Sequence, residues 1–101
     1  MINVEERHLK EIKTLLKQYV PGAEVRVFGS RLNETVKTYA DLDLALVGKK
    51  KIPGKIMAQL KEAFEESTIP FRVDLLDWQT ISDSFRKIIE NSFEVLQQPQ
   101  N

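Results

Sequence analysis

The stretch VFGSRLNETVKTYADLDLAL, residues 27–46, holds the turn and the carboxylates that decide how this chain folds. An apolar, strand-like segment ends at Gly29 and Ser30, and a second one begins ten residues later with Asp41 and Asp43. Side chains alternate faces along a strand, so the two aspartates share one face. Like charges on one face are costly to bury without a partner. The stretch therefore predicts a cation site on a sheet.

Composition limits the classes of protein to consider. The chain has 101 residues, enough for one domain, and its 15 basic and 15 acidic residues give a net charge of zero. That balance argues against broad nucleic-acid binding, which needs a basic surplus. With no cysteine and one histidine, thiolate zinc sites and multi-histidine centres are excluded, whereas an oxygen-ligated Mg²⁺ is not.

The sequence also gives expectations about location. No apolar run approaches the roughly 18 residues of a membrane span. The first ten residues, MINVEERHLK, lack the apolar core of a signal peptide. We therefore expect a cytoplasmic protein without a membrane partner.

Hydrophobic periodicity predicts an α/β (α+β) fold in a single domain over 1–101, with a disordered tail from about 97. The pattern indicates a small mixed sheet of three or four strands flanked by helices. Residues 93–96 fit either a helix end or a short strand. Helices are predicted over 4–19, 52–66 and about 83–91, and strands over 24–28, 41–47 and 71–76.

The third predicted strand repeats the carboxylate pattern in FRVDLLD. Its alternation places Val73 and Leu75 on one face and Asp74 on the other. If this strand pairs beside the one that carries Asp41 and Asp43, Asp74 joins their face. Three carboxylates on a rigid sheet suit one or two Mg²⁺ ions.

Gly29 and Ser30 supply a complementary feature, a sharp strand-to-helix turn. Glycine lets the backbone approach a ligand closely, and free N–H groups at a helix start bind phosphate. Arg31 adds a cation for a phosphate oxygen, or alternatively forms a surface ion pair. A phosphate cradle beside metal-binding carboxylates indicates nucleoside triphosphate chemistry.

With these motifs the chain resembles the polymerase-beta nucleotidyltransferase superfamily, and in particular its minimal, MNT-type members. The resemblance extends from the N-terminal helix through FRVDLLDW. It implies that Gly29 and Ser30 hold the triphosphate of ATP, and that Asp41 and Asp43 bind Mg²⁺. It further implies that Asp74 completes the metal site and assists deprotonation of the acceptor.

The resemblance also implies a partner. Members of this family pair with a small all-helical HEPN protein and act as its antitoxin by transferring AMP to a tyrosine. Two alternatives stay open: an antitoxin that works by occlusion with little transfer, and a small-molecule nucleotidyltransferase of the aminoglycoside-modifying kind. No direct nucleic-acid contact is expected.

Four other positions carry secondary expectations. Two differ from the family pattern, with Ala40 where a serine is common and Glu34 where a glycine is common; we expect Glu34 to face solvent. Asp77 is predicted to be a turn or cap residue near the site. Trp78 is predicted to pack against the sheet rather than stack on a base.

Overall fold

The computed structural model describes residues 2–33, 37 and 39–100. Short 3₁₀ turns follow the first and third strands, at Gly29–Leu32 and Trp78–Thr80. In chain order the helices and strands are α1 (Glu6–Tyr19), β1 (Glu24–Phe28), β2 (Leu42–Val47), α2 (Gly54–Glu65), β3 (Val73–Asp77), α3 (Asp83–Asn91) and β4 (Glu94–Gln97).

The four strands form one mixed sheet in the order β3-β2-β1-β4. β1 runs antiparallel to both β2 and β4, and β2 runs parallel to β3. The predicted α/β class with three or four strands is confirmed. The ambiguous segment 93–96 is resolved as a strand, because the residues after α3 pair with β1 at the sheet edge.

Helices cover both faces of the sheet. Helices α1 and α2 pack on the face that carries Leu42, Leu44 and Leu46, which are fully buried as the alternation predicts. Helix α3, through Ile89, and Trp78 cover part of the opposite face, over Ala45. This second cluster is smaller than the first, and Asp43, two residues before Ala45 on the same face, is only half-buried.

Several boundaries differ from the predictions for local reasons. α2 begins at Gly54 and not at residue 52, since Pro53 has the extended backbone of a cap residue. β3 begins at Val73 and not at residue 71, and it continues through Asp77. No helix in the described ranges is long and apolar enough to cross a membrane.

The end of the chain also differs from the predicted tail. Gln97 is the last residue of β4, and its side-chain amide donates hydrogen bonds to the carbonyls of Val20 and Ala23, each at 2.9 Å. The backbone N–H of Gln100 donates to the carbonyl of Pro21 at 2.8 Å. The side chain of Gln97 and the backbone of Gln100 thus tie β4 and the residues after it to the connection between α1 and β1, which hydrophobic periodicity does not detect.

Candidate active site

The turn after β1 places a glycine directly against a carboxylate. Gly29 has a φ of +82°, a conformation that L-residues rarely adopt. A Cβ atom at this position would lie 2.5 Å from Oδ2 of Asp43, well inside van der Waals contact. Only glycine therefore fits here, and its absent side chain lets the turn approach β2.

Ser30 lies beside this contact and is exposed. The structure places it inside the first 3₁₀ turn, whose N-cap is Phe28. The backbone carbonyl of Ser30 accepts the N–H of Asn33 at 3.0 Å. The exposed hydroxyl stays accessible to a ligand at the turn.

The register between β2 and β3 brings the carboxylates together. Asp43 lies directly opposite Asp74, while Asp41 lies exposed one residue before β2. Burial raises the pKa of Asp43 above its ordinary value, and the charges of Asp74 and Asp41 raise it further. The predicted neighbourhood of the three side chains is thus present, while their roles in catalysis stay predictions.

Asp74 already has one cationic neighbour. Its Oδ1 lies 2.8 Å from Nε of Arg72, whose side chain is 75% exposed. Such an exposed ion pair contributes little, about 0–1 kcal/mol, and is readily exchanged for another partner. Sequence reasoning missed Arg72, because an arginine two residues before Asp74, at the start of a strand, looks the same in sequence as an ordinary surface charge.

The donor set fits a hard cation shared with a ligand. Among the described residues, no group of three or more His, Asp or Glu side chains converges to enclose a metal ion. Mg²⁺, however, is usually held by one or two carboxylates, with water and substrate phosphates completing its shell. Oxygen-only donors that repel one another at Asp43 suit such an open site.

A cleft of about 850 Å³ opens beside the carboxylates. Val73 and Leu75 face one side of the sheet, Asp74 and Leu76 the other, and all four line the cleft. The cleft therefore runs along the edge of β3. The aromatic residues that line the cleft are Phe28, Phe64, Phe71 and Phe85. Sequence reasoning missed them, because periodicity assigns apolar residues to a core without showing where that core is open.

Arg31 is buried and bound to backbone carbonyls, contacts that the sequence did not predict. The residue is 5% exposed, and its guanidinium donates hydrogen bonds to the backbone carbonyls of Ala40 and Asn3. It also lies 4.1 Å from the ring centroid of Phe71. This burial places the guanidinium inside the protein and not on the surface, and the contact of Arg31 with a phosphate stays a prediction.

The two residues after Leu76 have structural roles. Asp77 is buried, and its carboxylate accepts the backbone N–H groups of Ile52 and Gln79 at 2.8 and 2.9 Å. The prediction of a turn or cap residue is confirmed. Trp78 is 8% exposed and packs against the sheet as predicted. Glu34, expected to face solvent, lies outside the described residues.

Comparison with known proteins agrees with this geometry. Residues 10–100 match the family model described as polymerase beta, nucleotidyltransferase. A probable protein adenylyltransferase MntA from Haemophilus influenzae is 43% identical over 97 residues, which are 96% of this chain and 85% of that protein.

Two solved structures share the fold. A toxin–antitoxin complex with AMP-PNP matches with a TM-score of 0.73 at 20% identity, over 91% of this chain and 74% of the other. A complex of tri-AMPylated HEPN toxin with MNT antitoxin from Shewanella oneidensis matches with a TM-score of 0.64 at 19% identity, over 96% and 74%. The family match and the close relative together show that this chain belongs to the polymerase beta nucleotidyltransferase family.

Proposed function

We propose that this chain is an Mg²⁺-dependent protein adenylyltransferase that transfers AMP from ATP to a tyrosine hydroxyl of a HEPN-type partner. The observation that carries the proposal is the pairing of Asp43 with Asp74 across β2 and β3, directly against the Gly29 turn. The 43% identity to a probable protein adenylyltransferase supports the same reaction.

Each site residue has a proposed role. Asp41, Asp43 and Asp74 would hold Mg²⁺, which neutralises phosphate charge and polarises the α-phosphorus when bound. The backbone of Gly29 and the hydroxyl of Ser30 would hold the triphosphate at the turn. A bound Mg²⁺ would offset the repulsion among these carboxylates. In the free protein this repulsion adds to burial in raising the pKa of Asp43.

The transfer itself needs one base and one leaving group. Asp74 would accept the proton of the tyrosine hydroxyl as its oxygen bonds to the α-phosphorus of ATP. The bond between the α-phosphorus and the bridging oxygen to the β-phosphorus breaks, and pyrophosphate leaves. The cleft along the edge of β3 offers the space through which an acceptor side chain reaches Asp74.

We further propose that the acceptor belongs to a separate chain and that the modification makes this protein an antitoxin. Two solved structures that share its fold are toxin–antitoxin complexes, one of them with a tri-AMPylated HEPN toxin. We also propose that the protein acts in the cytoplasm, where ATP and Mg²⁺ are abundant.

A labelled-ATP transfer assay tests this function. The chain is incubated with Mg²⁺, ATP labelled on the α-phosphate, and either the HEPN protein from the same genome or an aminoglycoside. Label on the HEPN protein that disappears in Asp43→Asn supports the proposal. Neutralisation of the partner that survives Asp43→Asn without label would support occlusion, and label on the aminoglycoside alone would support the small-molecule alternative.

A further inference from the structure

Arg31 connects four parts of the chain that surround the candidate active site. Its Nε and Nη2 both donate to the carbonyl of Ala40, at 3.0 and 2.8 Å, and its Nη1 donates to the carbonyl of Asn3 at 3.1 Å. Its own carbonyl accepts the N–H of Asn3 at 2.7 Å. The bonds run in both directions between the turn and the N-terminal segment.

The residues that Arg31 holds are the immediate neighbours of the site residues. Arg31 itself follows Ser30, and Ala40 precedes Asp41. The guanidinium also lies over the ring of Phe71, two residues before β3 begins. One side chain thereby fixes the phosphate-binding turn relative to the start of β2 and the approach to β3.

The bonds to Ala40 also bear on Asp41, the next residue in the sequence. Nε and Nη2 of Arg31 both donate to the carbonyl of Ala40, so they hold the residue before Asp41 against the turn. The charge of Asp41 partly offsets the burial that lowers the pKa of Arg31, so the carboxylate also lies near the guanidinium.

We propose that Arg31 is a positioning residue, which holds Asp41 and the Gly29–Ser30 turn at the separation that metal binding and AMP transfer require. The inference rests on the proposed function for the identity of the ligands. The two bonds to one carbonyl use the planar fork of arginine, which the single ammonium of lysine cannot reproduce. A phosphate contact, by contrast, needs mainly a positive charge, which lysine supplies.

The test compares Arg31→Lys and Arg31→Met with a matched control, Arg86→Lys. Arg86 makes the same kind of contact, with Nε and Nη2 donating to the carbonyl of Trp78 at 2.9 and 2.7 Å and the guanidinium near the Trp78 ring. Three quantities are measured: the AMP transfer rate and KM for ATP at saturating Mg²⁺, the affinity for Mn²⁺ without acceptor, and the thermal midpoint.

For a positioning role we expect both Arg31 variants to lose transfer rate roughly a hundredfold, the loss that a displacement of about 1 Å causes. Their affinity for Mn²⁺ should fall about tenfold, while KM for ATP changes less than about threefold. Arg86→Lys should lower the thermal midpoint to a similar extent and leave transfer rate and Mn²⁺ affinity within about twofold of wild type.

Two results would overturn the proposal. Full activity in Arg31→Lys, with a raised KM for ATP only in Arg31→Met, would show a phosphate contact. A lowered thermal midpoint with unchanged rate and Mn²⁺ affinity would show a purely structural residue. If wild type transfers no AMP, the proposed function fails, yet Mn²⁺ binding still decides this inference: weaker binding in both Arg31 variants supports it, and equal or absent binding contradicts it.

Discussion

Among single residues, Gly29 and Asp43 depend on each other most directly. The glycine adopts a φ of +82° and leaves the space that Oδ2 of Asp43 occupies. A side chain at residue 29 would both strain the backbone and displace a carboxylate that we assign to the metal. The same contact thus makes residue 29 important for stability and for activity.

We predict that Gly29→Ala lowers the free energy of unfolding by at least about 1–2 kcal/mol, the usual cost of a left-handed backbone for an L-residue. The rate of AMP transfer should fall by more than the loss of folded protein explains, because Asp43 must move away from the new Cβ atom. Urea unfolding and the transfer assay measure the two effects.

Gly22→Ala is the matched control for this change. A Cβ atom at Gly22 meets nothing within 4 Å, so unfolding free energy should change by no more than about 0.5 kcal/mol and transfer should persist. Equal effects of the two substitutions would show that the contact between Gly29 and Asp43 is unimportant.

A second residue-level prediction concerns Asp43 and pH. Because burial and then the charges of Asp74 and Asp41 raise its pKa, Asp43 stabilises the fold most below its ordinary pKa of 3.8. That stabilisation is lost as pH rises through the raised pKa of the folded state. In metal-free buffer at neutral pH, Asp43→Asn should therefore raise the urea midpoint while abolishing transfer.

The gain in Asp43→Asn should shrink as pH falls through the raised pKa of Asp43, and it should also shrink when Mg²⁺ and ATP stabilise the wild type. Asp83→Asn, whose side chain is 93% exposed, provides the comparison and should show no such gain. A lower midpoint for Asp43→Asn at neutral pH would instead mean that the carboxylate is structural.

Among the secondary-structure elements, the last residue of β3 holds the connection between β2 and α2 in place through a hydrogen bond. The buried carboxylate of Asp77 accepts one N–H from Ile52, just before α2, and one from Gln79, in the 3₁₀ turn after β3. Asp77 therefore ties two loops together below the site without belonging to the carboxylate cluster.

We predict that Asp77→Ala lowers the free energy of unfolding by about 2–4 kcal/mol, because two backbone N–H groups lose their acceptor in a buried place. Asp83→Ala, at the exposed start of α3, should cost no more than about 1 kcal/mol. Chemical denaturation of both variants measures this difference. A cost at Asp77 equal to that at Asp83 would contradict the assigned role.

Alternation and periodicity predict most of these elements because burial has a regular repeat in sequence. Asp43 and Asp74 are predicted on a shared face, since period-2 alternation and adjacent pairing of β2 and β3 are enough to place them. The strand β4 is left ambiguous, because four residues show too little of either period to separate helix from strand.

Arg31 shows why the rest of the site is not predictable in this way. Its partners Asn3 and Ala40 are backbone carbonyls 28 and 9 residues away, and a carbonyl carries no side-chain signal in the sequence. The sequence therefore indicates a cation beside a glycine turn but not the backbone carbonyls to which it donates. The same limitation applies to Gln97, which binds the carbonyls of Val20 and Ala23.

On the scale of the whole molecule, two unequal helical layers leave one side of the sheet partly open. α1 and α2 cover the larger core, while α3 and Trp78 cover the opposite face only beyond Asp43. The cleft runs along β3, and Asp74 belongs to its lining. Under the proposed function, the acceptor hydroxyl of the partner would reach Asp74 through this cleft.

The intact mass of the HEPN partner, after incubation with this chain, ATP and Mg²⁺, tests the proposed reaction most directly. Wild type should add whole adenylyl groups to the partner, at a tyrosine located by peptide sequencing, and the double variant Asp41→Asn/Asp43→Asn should add none. A partner that stays unmodified while it is still neutralised, or that is modified equally by the double variant, would contradict a transfer reaction at these carboxylates.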